Sequence, residues 1–422
     1  MPVAERVFGH LHPWLAGLEP DGEAAFWARV AAARAPLIEP DSSSPDHSLV
    51  TYVFRDPDAR HVVVQPGFGA IPDNVMAPIP GTAVWHATYR YRNDVRATYS
   101  FAPDLPLMSV DVADEAKMAE FRAFVREHPQ PIADPNARET YASRAGDGAP
   151  DNIASILSLP GAPDQSIIAK RPGIARGWIG RHQLKSEVMG NERRVWVYTP
   201  PGYAPNERVY PVLVAFDGGA ALSLMPTQRV LDNLMADGRI APLVAVFVDN
   251  PTDASRAVEL PCNEHFARFI ETELIPWARD RYALSREAGD GYVTGVSYGG
   301  LASMWLGYRL PHLFGNVISQ AASLWWGPGF DGEKPMPLQR YAPEWLIDQY
   351  AASPRLPVRF WMEIGLMEPH DRMIATNRRM AALLREKGAE VTYGEYAAGH
   401  DYAHWRVTIA DALAAMLPAT GN

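Results

Sequence analysis

From residue 177 onward the chain alternates continuous apolar runs with amphipathic helical patterns, and that alternation leaves few folds open to it. YPVLVAFDGG, APLVAVFVDN, GYVTGVS and PVRFWMEIG show no polar face. Runs of this kind belong to a sheet covered on both sides. Between them, NEHFARFIETELIPWARDRY, YGGLASMWLGYRL and NRRMAALLREKG place apolar residues at three- and four-residue spacing among helix formers. Strand followed by helix, repeated, predicts an α/β domain around a mostly parallel sheet. The domain opens with GWIGRHQLKSEVMGNERRVWVYTPPGY, two strand patterns joined by a turn at Gly190-Asn191.

The first half of the chain has another character. SLVTYVFRD, HVVVQPG, AVWHATYRY and ATYSFAPD are short, rich in Val, Tyr, Thr and Phe, and separated by Gly, Pro, Asn or Asp. This predicts a small antiparallel β-sandwich whose strands end near Asp104. Residues 2–35 read as helical, on the strength of GEAAFWARVAAARAPL, and DEAKMAEFRAFVREH reads as a further short helix. The stretch after it is full of Pro, Asp, Ala and Gly. The expected organisation is an N-terminal helix and Ig-like sandwich over 1–128, a Pro-rich connector over 129–176 and an α/β domain over 177–422. A length of 422 residues suits two domains better than one.

Composition excludes more than it selects. A formal net charge of −10 argues against a general grip on nucleic acid. Cys262 is the only cysteine, which fits a reducing compartment, and it reads as a small packed residue rather than a nucleophile. Glu5, Arg6 and two histidines break up the N-terminus before any long apolar core, so no secretory signal is read there. No apolar run approaches the length of a membrane span. The expectation is a soluble cytoplasmic protein with neither a nucleic acid nor a membrane as partner. His-Glu-x-x-His, CxxC and P-loop patterns are absent, and His10 and His12 have no acidic or Cys neighbour in sequence; neither metal nor cofactor is expected.

The chemistry concentrates downstream. Gly295-Val296-Ser297-Tyr298-Gly299-Gly300 follows a strand pattern and opens a helix pattern. Gly-x-Ser-x-Gly in that setting is the nucleophile elbow of an α/β-hydrolase, with glycines where the turn leaves no room for side chains. A serine hydroxyl needs a base, and in this fold the chain order is serine, acid, histidine. His312, His370, His400 and His404 follow Ser297. His400 lies in a loop between the strand EVTYGEY and the last helix, where the base belongs; His404 is the reserve. The loop after VRFWMEIG offers Glu368 first and Asp371 second as the acid, while Glu363 falls inside the strand. Oxyanion donors are expected from the N–H of Tyr298 and from Gly218 or Gly219 in the loop after a central strand.

With these residues in place, the chain resembles the enterochelin (enterobactin) esterase family from about residue 26 to its C-terminus. VTYVFRDPDARHVVV, GTAVWHATYRY and ATYSFAPD are similar to that family's N-terminal domain. RPGIARGWIGRHQLKSEVMGNERRVWVYTPPGY, RAVELPCNEHFARFIETELIPW, GVSYGGLASMW, SQAASLWW and AGHDYAHWR are similar to its later segments. Val296 and Ala398 depart from the residues often found there, Gln and Gly. The resemblance implies a cytoplasmic esterase acting on ferric catecholate siderophores, with Ser297, His400 and Glu368 as its triad. Such a substrate is anionic and aromatic and calls for Arg and aromatic side chains. Arg256, Trp325 and Trp326, in loops expected at the carboxyl end of the sheet, are the candidates to contact it. Two other readings use the same residues: an esterase for feruloyl or other aryl esters, and a siderophore-binding protein without catalysis.

Overall fold

The structure, a computed structural model, describes residues 2–65, 74–105, 131–143, 152–330, 344–417 and 419. The helix expected at DEAKMAEFRAFVREH, and with it the boundary at 128, lies outside these residues.

Two antiparallel sheets build the N-terminal region. One contains β1 (Ala4–Arg6), β2 (Leu37–Pro40), β3 (His47–Arg55), β5 (Ala77–Pro78) and β6 (Val84–Arg92), in the order β1-β6-β3-β2 with β5 also on β6. The other contains β4 (Val62–Gln65), β7 (Arg96–Pro103), β8 (Glu139–Ser143) and β9 (Asn152–Ser158), in the order β4-β7-β9-β8. Their core includes several tyrosines: Tyr52, Tyr89, Tyr91 and Tyr99 are buried together with Phe101. Buried phenols need partners. The Tyr52 and Tyr91 hydroxyls meet at 3.0 Å, and the Tyr99 hydroxyl donates to Asp134 at 2.9 Å.

Two expectations change here. The helix of the first segment is confined to Glu23–Ala33, while Ala4–Arg6 is a strand paired with β6. Gly9 and Gly17 sit at φ 78° and 70°, which no continuous helix accommodates. The expected connector supplies β8 and β9, so the sandwich runs on to Ser158. Pro, Asp and Gly around ETYAS and NIASILS mask these strands in the sequence.

The C-terminal region is one eight-stranded sheet. It contains β10 (Trp178–Ser186), β11 (Asn191–Thr199), β12 (Val212–Ala215), β13 (Val244–Val248), β14 (Gly291–Val296), β15 (Asn316–Gln320), β16 (Arg359–Gly365) and β17 (Val391–Tyr396). The order is β10-β11-β13-β12-β14-β15-β16-β17. Pairing is antiparallel at β10/β11 and β11/β13 and parallel from β13 to β17. Every residue of β12, β13, β14 and β15 is buried, as the unbroken apolar runs require. The chain leaves β12 for β13 on one side and later returns to β14 on the other. This reversal opens a crevice at the carboxyl ends of β12 and β14, the place where α/β sheets bind ligands. Among the described residues no helix is long and apolar enough to cross a membrane.

Candidate active site

Ser297 stands between β14 and the helix Tyr298–Arg309, at the mouth of that crevice. Its φ of 58° and ψ of −117° lie where a non-glycine residue is strained. Of the glycines around it, Gly295 leaves no room for a side chain and Gly299 little. A Cβ on Gly295 would come within 2.5 Å of the Gly299 carbonyl carbon, and one on Gly299 within 3.3 Å of Asp217 Oδ2. The backbone is tied on both sides: the Ser297 N–H donates to Gln320 O at 3.0 Å, and the Ser323 N–H donates to Ser297 O at 3.2 Å. The Ser297 side chain is half-buried, and its Oγ lies 3.3 Å from Ser323 Oγ.

The acid and base loops leave the neighbouring parallel strands β16 and β17 at the same edge. His400 Nδ1 and Glu368 Oε2 are 2.8 Å apart, and the Glu368 side chain is wholly buried. The carboxylate accepts from Nδ1–H, which leaves Nε2 as the ring's basic atom. The Trp405 ring meets the imidazole edge-on, with centroids 4.8 Å apart. Behind both loops, Gln320 Nε2 donates to Glu363 Oε1 at 2.8 Å and to Trp405 O at 3.1 Å. Thr408 Oγ1 and Trp361 Nε1 also donate to the Glu363 carboxylate, whose burial pushes its pKa up. Gln320 thus joins the Ser297 backbone to the residue that packs on His400.

The loop after β12 closes the other side of the crevice. Asp217 adopts a left-handed conformation, φ 53° and ψ 49°, and starts the short helix Gly218–Ser223. Its carboxylate receives a bidentate pair from Arg256, Nε to Oδ1 at 2.6 Å and Nη2 to Oδ2 at 2.7 Å. Burial works against the Arg256 charge, yet the Asp217 carboxylate outweighs it and raises the guanidinium pKa. The same guanidinium lies 5.8 Å from the Tyr298 ring centroid. Beside Gly219, the Asp249 carboxylate accepts from Arg194 Nη2 at 2.7 Å.

This geometry coincides with clear relationships to other proteins. Residues 186–416 match the family described as putative esterase, and residues 49–168 match the family described as enterochelin esterase, N-terminal. The iron(III) enterobactin esterase of Escherichia coli strain K12 is 30% identical over 336 residues, covering 78% of each protein. That of Dickeya dadantii is 28% identical over 420 residues, covering 92% of each. The chain belongs to the enterochelin esterase family. In three dimensions it superposes on the ferric enterobactin esterase of Salmonella typhimurium with a TM-score of 0.74 at 27% identity, covering 93% of this chain and 98% of that one. The enterobactin esterase of Shigella flexneri, crystallised in the presence of enterobactin, gives 0.71 at 27% identity, covering 94% and 98%. The protein is accordingly a carboxylic ester hydrolase.

Position separates the sequence-based candidates from one another. Of the two candidate acids, Glu368 faces His400; Asp371 is almost fully exposed and pairs with its neighbour His370 at 3.1 Å. The reserve base His404 is buried against Tyr396, and burial together with the Arg96 charge lowers its pKa to about 3. His312 pairs with Glu271 at 3.1 Å on the surface. Arg256 is not a free cation awaiting a ligand but half of the pair with Asp217. Trp325 is buried against Tyr298 and Phe330 rather than displayed, whereas Trp326 is half-buried and reaches solvent. His10 does find an acidic neighbour, Glu39 at 3.1 Å, brought in by β2. His12 Nδ1 accepts from the Trp14 N–H, so its Nε2 carries the proton and is not a metal-ligating atom. Among the described residues no cluster of His, Cys, Asp or Glu is arranged to hold a metal.

Sequence reading missed Asp217, Gln320 and Ser323 as parts of the site. For Asp217 a signal existed: an acidic residue at the start of the glycine loop, with a lone Arg in the stretch after the next strand. Ser323 and Gln320 carry none, because only the pairing of β14 with β15 brings them to the elbow.

Proposed function

We propose that this protein hydrolyses the ester bonds of a ferric catecholate siderophore, an enterobactin-like cyclic triester, through Ser297, His400 and Glu368, and so lets go of the iron. The observation that carries the reading is the His400–Glu368 contact at the same sheet edge as the strained serine elbow. His400 Nε2 takes the hydroxyl proton as Ser297 Oγ adds to the ester carbonyl. The N–H groups of Tyr298 and of Gly218 or Gly219 receive the oxyanion. The imidazolium then gives its proton to the departing alkoxide, and a water molecule repeats the cycle on the acyl-enzyme. Glu368 fixes the ring tautomer and stabilises the imidazolium. Cutting a cyclic triester unties three catechol arms whose joint hold on iron depends on their linkage, so each cut weakens the chelate. Trp326 is the aromatic candidate for contact with a catechol ring. The single buried Cys262 accords with a cytoplasmic site of action.

The Arg256–Asp217 pair favours a second reading. With that charge neutralised, the pocket suits a neutral feruloyl or other aryl ester better than a pocket with a bare Arg would. Product analysis with ferric and iron-free triscatecholates beside a methyl ferulate panel separates the two: turnover confined to the ferulate sinks the siderophore reading. An organophosphate adduct at Ser297, read by mass spectrometry, tests both against a non-catalytic binder, which would form none.

A further inference from the structure

We infer that the N-terminal sandwich is a working part of the esterase site, and that Asp401 is a positioning residue through which β7 holds His400 in place. The inference rests on the triad reading above. Its basis is an unfilled strand edge. On one side β7 pairs with β9 from Arg96 to Tyr99; on the other, β4 covers only Ser100–Pro103. The upstream N–H groups on that second side would be bare, and an open strand edge demands partners. The loop carrying the base supplies them. The Arg96 N–H donates to Ala397 O at 3.2 Å, and the Thr98 N–H donates to Asp401 Oδ2 at 3.0 Å. Thr98 Oγ1 adds a longer bond to the same oxygen at 3.4 Å. These two anchors bracket the catalytic histidine: Ala397 lies three residues before it and Asp401 one after.

The acid loop is fastened to the same assembly. The Leu366 N–H donates to Tyr396 O at 2.7 Å, and the Met367 N–H donates to Ala398 O at 3.0 Å. A Cβ on Gly365 would lie 2.3 Å from Ala398 O, so the two loops are pressed backbone to backbone. Met367 and Ala397 are buried in the sandwich core itself, among Val95, Ala97 and Tyr99, and not in the core of the catalytic sheet. Asp401 is itself buried and stands at the start of the helix Tyr402–Met416, which bears Trp405. Strand β7, the base loop and the acid loop therefore form one continuous backbone-bonded layer. A shift of Asp401 would turn the imidazole away from Glu368.

The experiment uses the full-length protein with p-nitrophenyl butyrate and a ferric triscatecholate triester as substrates. Asp401→Ala is expected to lower kcat at least about tenfold with KM within about twofold, because substrate contacts are untouched while the base is misplaced. Asp401→Asn keeps an oxygen for the Thr98 N–H and is expected to recover kcat to within about threefold of the parent. Arg406→Gln is the stability control. Arg406 joins Glu139 and Gln165 across the same domain boundary, one turn farther along the helix. It is expected to lower Tm while leaving kcat within about twofold. Should Asp401→Ala not fold, Asp401→Ser, too short to reach Thr98, carries the same test. Parental kcat in Asp401→Ala, or an equal loss in Arg406→Gln, overturns the inference. His400→Ala is measured beside them: full activity there removes the triad reading itself, whereas an inactive His400→Ala with an unaffected Asp401→Ala removes only the positioning role.

Discussion

Ser297 takes its hydrogen bonds from partners within 26 residues along the chain, whereas the loop that carries His400 is anchored by a bond that spans 303. The two halves of one site are thus secured in opposite ways. The serine half is local. A strand, three glycines and a helix start dictate its strained turn, and the next strand, β15, closes over it. The histidine half is assembled from two loops that grip one another and a strand edge in the other domain. A local turn forms whenever its strand and helix form; a layer bridging two domains exists only when both are folded and docked.

Substitutions can break or sharpen this contrast. The largest effect is expected from Ser297→Ala, a loss of about 10⁴ or more in kcat with the melting temperature unchanged or raised, since it removes the nucleophile and relieves no packing. Steady-state kinetics and calorimetry on one preparation check both parts. Glu368→Gln should follow, with kcat down about 10³–10⁴-fold from a misheld imidazole. A fall of less than about tenfold would remove Glu368 from the triad. Arg256→Ala should lower kcat about tenfold on neutral and anionic esters alike, because Asp217 and the Gly218 loop lose their anchor. A rise in KM confined to the anionic ester would instead make Arg256 a substrate contact.

The smallest effect concerns pH and falls on the histidine half alone. Unfolded, His404 takes a proton below its ordinary pKa of 6.5; folded, burial delays this to about 3. The unfolded chain therefore binds the extra proton between those values, and stability is lost as pH falls through 6.5. The slope approaches about 1.4 kcal/mol per pH unit for this one group. Denaturant titrations at pH 7 and pH 5 on the parent and on His404→Gln should show a smaller acid penalty in the variant. Equal penalties would show that His404 does not govern it.

The same contrast explains what was legible. The β12, β13, β14 and β15 runs could be read because strands buried on both faces leave no polar alternation to confuse with helix. Ser297 was legible because its turn requires Gly295 and Gly299, and His400 and Glu368 because chain order restricts them. The strands at Glu139–Ser143 and Asn152–Ser158 were not, since their edges are defined by pairing with each other and, for the second, with β7, and not by flanking composition. Nor was the Arg256–Asp217 pair: Arg256, expected in a loop, lies in the helix Asp253–Glu259, and the pair needs that helix to meet the turn after β12. Asp401 was hidden for the strongest reason: its partner is a backbone N–H, and backbone donors have no letter in a sequence.

The open edge of β7 also bears on how this protein might be shortened. A biocatalyst trimmed to begin near residue 177 would keep every reacting group yet expose Met367 and Ala397 to water and leave the Asp401 carboxylate without its cross-domain donor. Miniaturising this scaffold would therefore start with a graft: a short strand, or a loop carrying two outward amides, laid where β7 now runs.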